Sequence, residues 1–396
     1  MDSFTQDLRR ARAGDTHAES KRGATEAVQA ARPVGGRGSC CRRWIMDGTI
    51  VGSAEKLAFL RSLAAFDHVV ECVETHMSWV FLTGHRAFKL KKPVRLPYLD
   101  HSTLERRRRS CENELRLGRR LAASVYEQVA PIVASPRGLA IGGDGEIVDW
   151  LVVMRRLPAD RMLPQMLARG AATLAHADAV GELLTGLYRD ARPAPWDGAE
   201  YRRRLRDTAT AVASELIARA APGDRSAQID RIARIAQAQR DAIEREAHAL
   251  DARIAAGRVV EAHGDLRPEH VCLETPPVVI DPLEFNEDLR TLDAASELAF
   301  FALECERLGA GWFGARVVER YAGRAGDHIP PPLAALYRSG HALTRALLAL
   351  RHLDDAPPAD HARWRARAED YLARADAIWE PARPPRAVTP ADREPG

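Results

Sequence analysis

Two carboxylates carry the strongest chemical signal in this chain. Asp265 stands in His263-Gly264-Asp265-Leu266, and Asp281 closes the apolar run Val278-Val279-Ile280. Between them lie a second apolar run, Val271-Cys272-Leu273, and a proline-containing turn. The pattern reads as loop, strand, turn, strand, with a carboxylate at each end of a hairpin. Metal-assisted phosphoryl transfer needs such a pair. One Asp accepts or orients the proton of an attacking hydroxyl, and the other holds Mg²⁺ on the phosphates of ATP. Aspartates beside Gly and Pro are also ordinary turn residues. The apolar hairpin with a second Asp at its end favours the chemical reading.

Other elements must bring charge to such a site. Val69–Val73, Trp79–Leu82 and Arg86–Lys91 read as three strands, with Thr83-Gly84-His85 turning between the last two. Lys89 and Lys91 are two apart and share a strand face, whereas Lys92 points away. The plain alternative is that these lysines protect an edge strand. A helix is predicted from Leu104 to Ala123, capped by Ser102 or Thr103. Arg106–Arg109 read as its solvated face. Glu114 falls on the face of Leu117 and Leu121 and so points inward, with Glu112 the fallback. Ser53–Phe66 reads as a short amphipathic helix. Strands are expected at Gln128–Val133, Gly138–Ile141 and Glu146–Met154, after which Met154-Arg155-Arg156-Leu157-Pro158 leaves the sheet.

The remainder reads as helical. Two helices fall between Arg161 and Asp190, then long ones at Tyr201–Ala220 and Ala227–Ala256, the latter with an apolar face of Ile229, Ile232, Ile235, Ile243, Leu250 and Ile254. Further helices are expected at Leu292–Leu308, His341–Leu353 and His361–Trp379. Glu284 and Asn286-Glu287-Asp288 form an acidic stretch after Asp281.

Composition sets the bounds. The chain has 396 residues, 46% hydrophobic and 29% charged, with a formal net charge of +3. That charge does not argue for nucleic acid. Six cysteines without a CxxC pair fit a reducing cytoplasm. No apolar run reaches the length of a membrane span. Residues 1–45 read as disordered or as an extension upstream of a natural start at Met46. The expected divisions are 46–154, 155–385 and a flexible tail, 386–396.

Taken in order, THMSWVFLTGHRAFKLKKPV, LDHSTLERRRRSCENELRLGRRLA, VVMRRLP and HGDLRPEHVCL with IDPLEFNEDLRTLDAASELAFFALE resemble the bacterial aminoglycoside phosphotransferase-like family. Longer members of that family are fused to a P-loop ATP-binding domain. The resemblance spans about Phe59 to Leu353. It implies an α+β, bilobal, protein-kinase-like fold with a small antiparallel-sheet N-lobe and a larger, mostly helical C-lobe. It implies ATP and Mg²⁺ as cofactors, and a small-molecule hydroxyl as acceptor. Asp265 takes the catalytic-base position and Asp281 the metal position. Lys89, or else Lys91, pairs with Glu114 to hold phosphates, and backbone around Met154 faces adenine; Ser78, with Thr75 and His76, stands where a phosphate loop is expected and can donate hydrogen bonds to phosphate. Asp293 caps a helix and braces the catalytic loop.

Three departures stand out. His270 replaces the Asn that serves as second metal ligand, which makes Mn²⁺ a natural alternative to Mg²⁺. Thr75-His76-Met77-Ser78 replaces a Gly-rich phosphate loop. No G-x-x-x-x-G-K-[ST] occurs. The rival expectations are a nucleotide-binding pseudokinase, nucleotidyl transfer on the same fold, and a metal-dependent hydrolase using His263, Asp265, His270 and Asp281.

Overall fold

The computed structural model describes residues 51–62, 71–96, 98–220, 225–354 and 356–379. The expectations for 1–45 and 386–396, and for the ends of the first helix and first strand, fall outside them. The described residues divide into two compact units, one comprising those up to Glu112 with Glu127–Arg156, the other Asn113–Tyr126 with those from Leu157. Residues 113–126 therefore go with the later part of the chain, which a contiguous division at 154 does not anticipate.

The first unit is built on a six-stranded sheet. Helix α1 (Ser53–Ser62) precedes β1 (Glu71–Glu74), β2 (Ser78–Leu82) and β3 (Arg86–Lys91). Helix α2 (Leu104–Ala122) follows, then β4 (Tyr126–Ser135), β5 (Gly138–Ile141) and β6 (Glu146–Arg155). The strand order is β1-β2-β3-β6-β4-β5. Thr103 caps α2, its hydroxyl accepting from the Arg106 N–H at 3.2 Å. One sheet face is the core: Phe81, Leu90, Leu151 and Val153 pack with Leu60 of α1 and Ile132 of β4. Successive strand residues alternate faces, so the register assigns the other face too.

Arg106, Arg108 and Arg109 are exposed as expected, but Arg107 is not. Its Nε lies 2.8 Å from Asp149, which also takes Lys56 Nζ at 2.8 Å. A buried carboxylate between two cations is satisfied on both oxygens, as burial of charge demands.

The second unit is mostly helical. Helices α3 (Leu163–Ala168), α4 (Leu174–Asp190) and α5 (Gly198–Ala218) lead into α6 (Arg225–Arg245) and α7 (Ala247–Ala255). The single long helix expected over 227–256 is thus two, broken at Glu246. The break lets one apolar stripe serve two clusters: Ile232 and Ile235 join one, Ile243 and Leu250 another. A small hairpin, β8 (Val271–Cys272) and β9 (Val278–Val279), follows β7 (Val259–Glu261). Strand β7 pairs antiparallel with β10 (Thr291–Asp293), of which Leu292 and Asp293 are expected from sequence to begin a helix. Helix α8 (Ala294–Arg307) starts after it, followed by α9 (Gly311–Ala325), α10 (Pro331–Arg351) and α11 (His361–Trp379).

Candidate active site

The hairpin with a carboxylate at each end is present. Val271 pairs with Val279 and Cys272 with Val278. Asp265 precedes the short 3₁₀ turn Pro268–His270, and Asp281 follows β9. Two backbone bonds join the ends: Ile280 N–H donates to His270 C=O and Leu283 N–H to His263 C=O, both at 2.9 Å.

Gly264 is required here. Its φ is +88°, and a Cβ would meet Arg290 Cβ at 2.7 Å and Leu283 Cβ at 2.9 Å. Asp281 has φ +62°, alone in this among the described non-glycine residues. A left-handed conformation is rare outside glycine and persists only where surroundings hold it. One restraint is Tyr126, whose hydroxyl accepts the Asp281 N–H at 2.9 Å. The Tyr126 ring lies where a Cβ on Gly118 would stand, 2.3 Å away, so a glycine on α2 leaves room for it.

His263 is buried and held neutral. Its Nε2 lies 2.9 Å from the Ile280 carbonyl, which can only accept, so Nε2 carries the proton. Nδ1 then accepts from the Asp265 N–H at 3.3 Å. Burial, with help from neighbouring His270, depresses its pKa to about 4. Both ring nitrogens of this imidazole are thus engaged within the loop. The linkage has a definite sign. An unfolded chain takes up this proton below about 6.5, and the folded one only near 4. Stability should therefore fall on acidification through that window, by about 2 kcal/mol at pH 5 from this group. Denaturant melts at pH 7 and pH 5 check it: a His263→Asn variant should lose this part of the pH slope, and an unchanged slope would refute it.

Arg267 ties the loop together and was not assigned from sequence. Its Nε and Nη2 each lie 3.1 Å from Asp265 Oδ2. Nη2 also lies 3.0 Å from His270 Nε2. His270 Nδ1 is 2.9 Å from the Asp265 carbonyl, which makes Nδ1 the donor and leaves the lone pair on Nε2. That Nε2 is 3.7 Å from Asp281 Oδ2. Burial opposes the charge on Arg267, but Asp265, Glu269, Asp281 and Glu304 outweigh it and raise the guanidinium pKa.

One further carboxylate holds the loop, and two others lie beside it. Glu297, fully buried on α8, accepts from Gly264 N–H at 2.6 Å, His263 N–H at 3.2 Å and Tyr188 O–H at 2.9 Å. Burial pushes its pKa up, against those hydrogen bonds. Asp293 does cap α8, accepting from Ala295 N–H at 2.8 Å. Bracing of the loop, however, falls to Glu297. The Asp293 carboxylate instead meets buried Arg253 and the Tyr337 hydroxyl. Glu261, just before the loop, takes Arg290 at 2.8 Å and Arg116 at 3.1 Å. Burial raises its pKa, but Arg116 and Arg290 prevail and hold it at about 2.

In the first unit, register groups the other candidates. Ser78 lies opposite Lys91, Val80 opposite Lys89, Lys89 opposite Val152, and Ala87 opposite Met154. Ser78, Lys89, Lys91 and Met154 therefore share the sheet face that turns away from the core. Both lysines are buried, at 8% and 1% exposure, on a strand flanked by β2 and β6. They are not edge-strand protection. Lys92 does point away, to Glu74 at 2.6 Å. Strand β6 continues through Arg155, paired with Arg86, so the chain leaves the sheet one residue later than expected. The β1–β2 turn is tight: Thr75 N–H donates to Ser78 C=O at 2.9 Å, and Ser78 N–H to the Thr75 hydroxyl at 3.0 Å. Glu112 is a surface residue paired with Arg108 at 2.9 Å. Glu114 is buried at 1% exposure, in the part of α2 that belongs to the second unit.

The donor set can be tested against the implied metal. Asp281 fits: its carboxylate is half exposed and its backbone is held in a special conformation. His270 does not fit as a second ligand in this arrangement, because Arg267 occupies its lone pair.

A sequence profile described as the phosphotransferase enzyme family matches residues 79–316. Uncharacterized proteins of Mycobacterium tuberculosis and Mycobacterium bovis are 32% identical over 285 residues, covering 70% of this chain and 54% of theirs. The chain thus spans about half the length of these curated relatives. Among solved structures, a choline/ethanolamine kinase family protein from Mesorhizobium loti is 18% identical, covering 83% of this chain and 93% of that one, with a TM-score of 0.47. The GDP complex of aminoglycoside 2'-phosphotransferase-IIIa is 14% identical, covering 82% and 98%, also with a TM-score of 0.47.

Proposed function

Because the chain belongs to the phosphotransferase enzyme family, we propose that it moves the γ-phosphoryl group of ATP to a hydroxyl of a small molecule. The observation that most supports this is Asp281, tethered at positive φ beside the loop that carries Asp265. Strain of that kind tends to gather at functional sites.

Asp265 orients the acceptor hydroxyl and receives its proton, which then passes to solvent. The acceptor oxygen forms its bond to phosphorus as the bond from γ-phosphorus to the bridging oxygen breaks, leaving ADP. Asp281 would hold the metal, Mg²⁺ or Mn²⁺. A bound divalent ion would neutralise charge developing on the phosphates. Lys89 is the proposed phosphate-holding lysine and Lys91 its alternative, with Ser78 on the same face. Glu114 is the proposed partner of Lys89, and backbone near Met154 would meet adenine. Little covalent chemistry is asked of these groups; positioning and charge do the work.

A second reading, a nucleotide-binding regulatory module, draws on one observation. Arg267 sits on Asp265 and occupies Oδ2, an oxygen that an acceptor hydroxyl would need. Metal-dependent release of ADP would exclude it, and release of pyrophosphate would indicate nucleotidyl transfer instead.

Thermal unfolding tests the nucleotide site. Ligand at a hundred times its dissociation constant adds about 2.7 kcal/mol. ATP with Mg²⁺ or Mn²⁺ should raise the midpoint by several degrees, and Asp281→Ala should lose the metal-dependent part. No shift at saturating ATP would overturn the phosphotransferase reading.

A further inference from the structure

We propose that Arg267 stands in for a second metal ion, so that the site takes one divalent cation, at Asp281, and the guanidinium supplies the other positive charge to the phosphates. This rests on the phosphotransferase reading. It starts from a disagreement: His270 occupies the position from which a second ion would be ligated, yet its side chain is committed elsewhere.

The commitment is specific. An imidazole has one lone pair when neutral. Nδ1–H of His270 donates to the Asp265 carbonyl at 2.9 Å, so the pair is on Nε2. Nε2 accepts from Arg267 Nη2 at 3.0 Å. The same guanidinium lies 3.1 Å from Asp265 Oδ2, and Asp281 Oδ2 is 3.7 Å from His270 Nε2. The guanidinium thus holds both Asp265 Oδ2 and His270 Nε2. It has donors only and can never be a metal ligand. A second divalent ion drawn to His270 would have to displace a like charge from it. Mg²⁺ has little reason to do so, since it prefers oxygen.

The sequence holds Arg267 in this place. Pro268 follows it, and a residue before proline is kept extended. Arg267 has φ −133° and ψ 156°, after which the 3₁₀ turn Pro268–His270 brings His270 back over it. Glu269 is itself paired to Arg307 at 3.4 Å. A guanidinium stays charged at any working pH. Planar guanidinium suits phosphate oxygens better than a point charge does.

Counting metal tests this without reference to turnover. The full chain is saturated with the non-hydrolysable analogue adenylyl imidodiphosphate and Mn²⁺, and protein-bound Mn²⁺ is counted by electron paramagnetic resonance after equilibrium dialysis. One Mn²⁺ per bound nucleotide is expected, with no histidine nitrogen coupling in the spin-echo spectrum. Arg267→Met should bind two, and the nitrogen coupling of His270 should then appear. Two Mn²⁺ in the wild type, or histidine coupling there, would overturn the inference while leaving the phosphotransferase reading intact. The wild-type count decides the matter even if the variant fails to fold. Absence of nucleotide binding would overturn the phosphotransferase reading, and this inference with it.

Discussion

Asp265→Asn should abolish phosphoryl transfer while nucleotide affinity stays within a few-fold of wild type. The Asp265 side chain is about one-third exposed, with Oδ2 on Arg267, and its backbone is fixed by His263 and His270. Asn keeps the size and an acceptor oxygen for Arg267, so the loop should hold its shape. What it loses is the negative charge that receives the hydroxyl proton. General-base groups contribute roughly 10²- to 10⁴-fold, which is about 3–5 kcal/mol of barrier. Release of ADP, with water or a screened acceptor, reads the rate, and titration with adenylyl imidodiphosphate reads binding. Turnover within tenfold of wild type would remove Asp265 from the base position. Loss of nucleotide binding would instead move it to the phosphate-holding set.

The largest loss of stability is expected from Glu297→Leu. This carboxylate sits at 1% exposure and satisfies two backbone donors of the catalytic loop and the hydroxyl of Tyr188. Leucine has similar bulk and accepts nothing. Each buried donor left without a partner costs about 1–3 kcal/mol, so roughly 3 kcal/mol or more should go. At about 2–4 °C per kcal/mol, the midpoint should fall by roughly 10 °C. Glu297→Gln retains an acceptor oxygen and should cost about 1 kcal/mol, near the net worth of one hydrogen bond. Denaturant unfolding of the three proteins measures both differences. A leucine variant within about 1 kcal/mol of wild type would mean that other groups hold the loop.

Local pattern carried the sequence reading far. Alternation gave β2 and β3 nearly to the residue, and the two-residue spacing of Lys89 and Lys91 was enough to give them a common face. Helical spacing put Glu114 inside, where it is. The carboxylate hairpin was legible because Gly264, the apolar runs and the prolines all act over a few residues. Legibility failed where a competing local rule was equally good. Only Leu292 of Thr291–Asp293 is apolar, too little pattern to tell a three-residue strand from the start of α8. The break at Glu246 lacks Gly or Pro. Glu297 had a trace of signal, being a lone acid inside an apolar helical run, whereas Tyr126 had none.

By itself, the sequence determined which residues lie on one face, in one turn or at one end of a hairpin, because periodicity and backbone sterics act between near neighbours. Tertiary structure alone decided what each charged group meets. Glu297 reaches Gly264 across 33 residues, and Tyr126 reaches Asp281 across 155. Such contacts follow from how buried polar groups find partners once the core has closed, a condition imposed by desolvation and not written into any short stretch of chain.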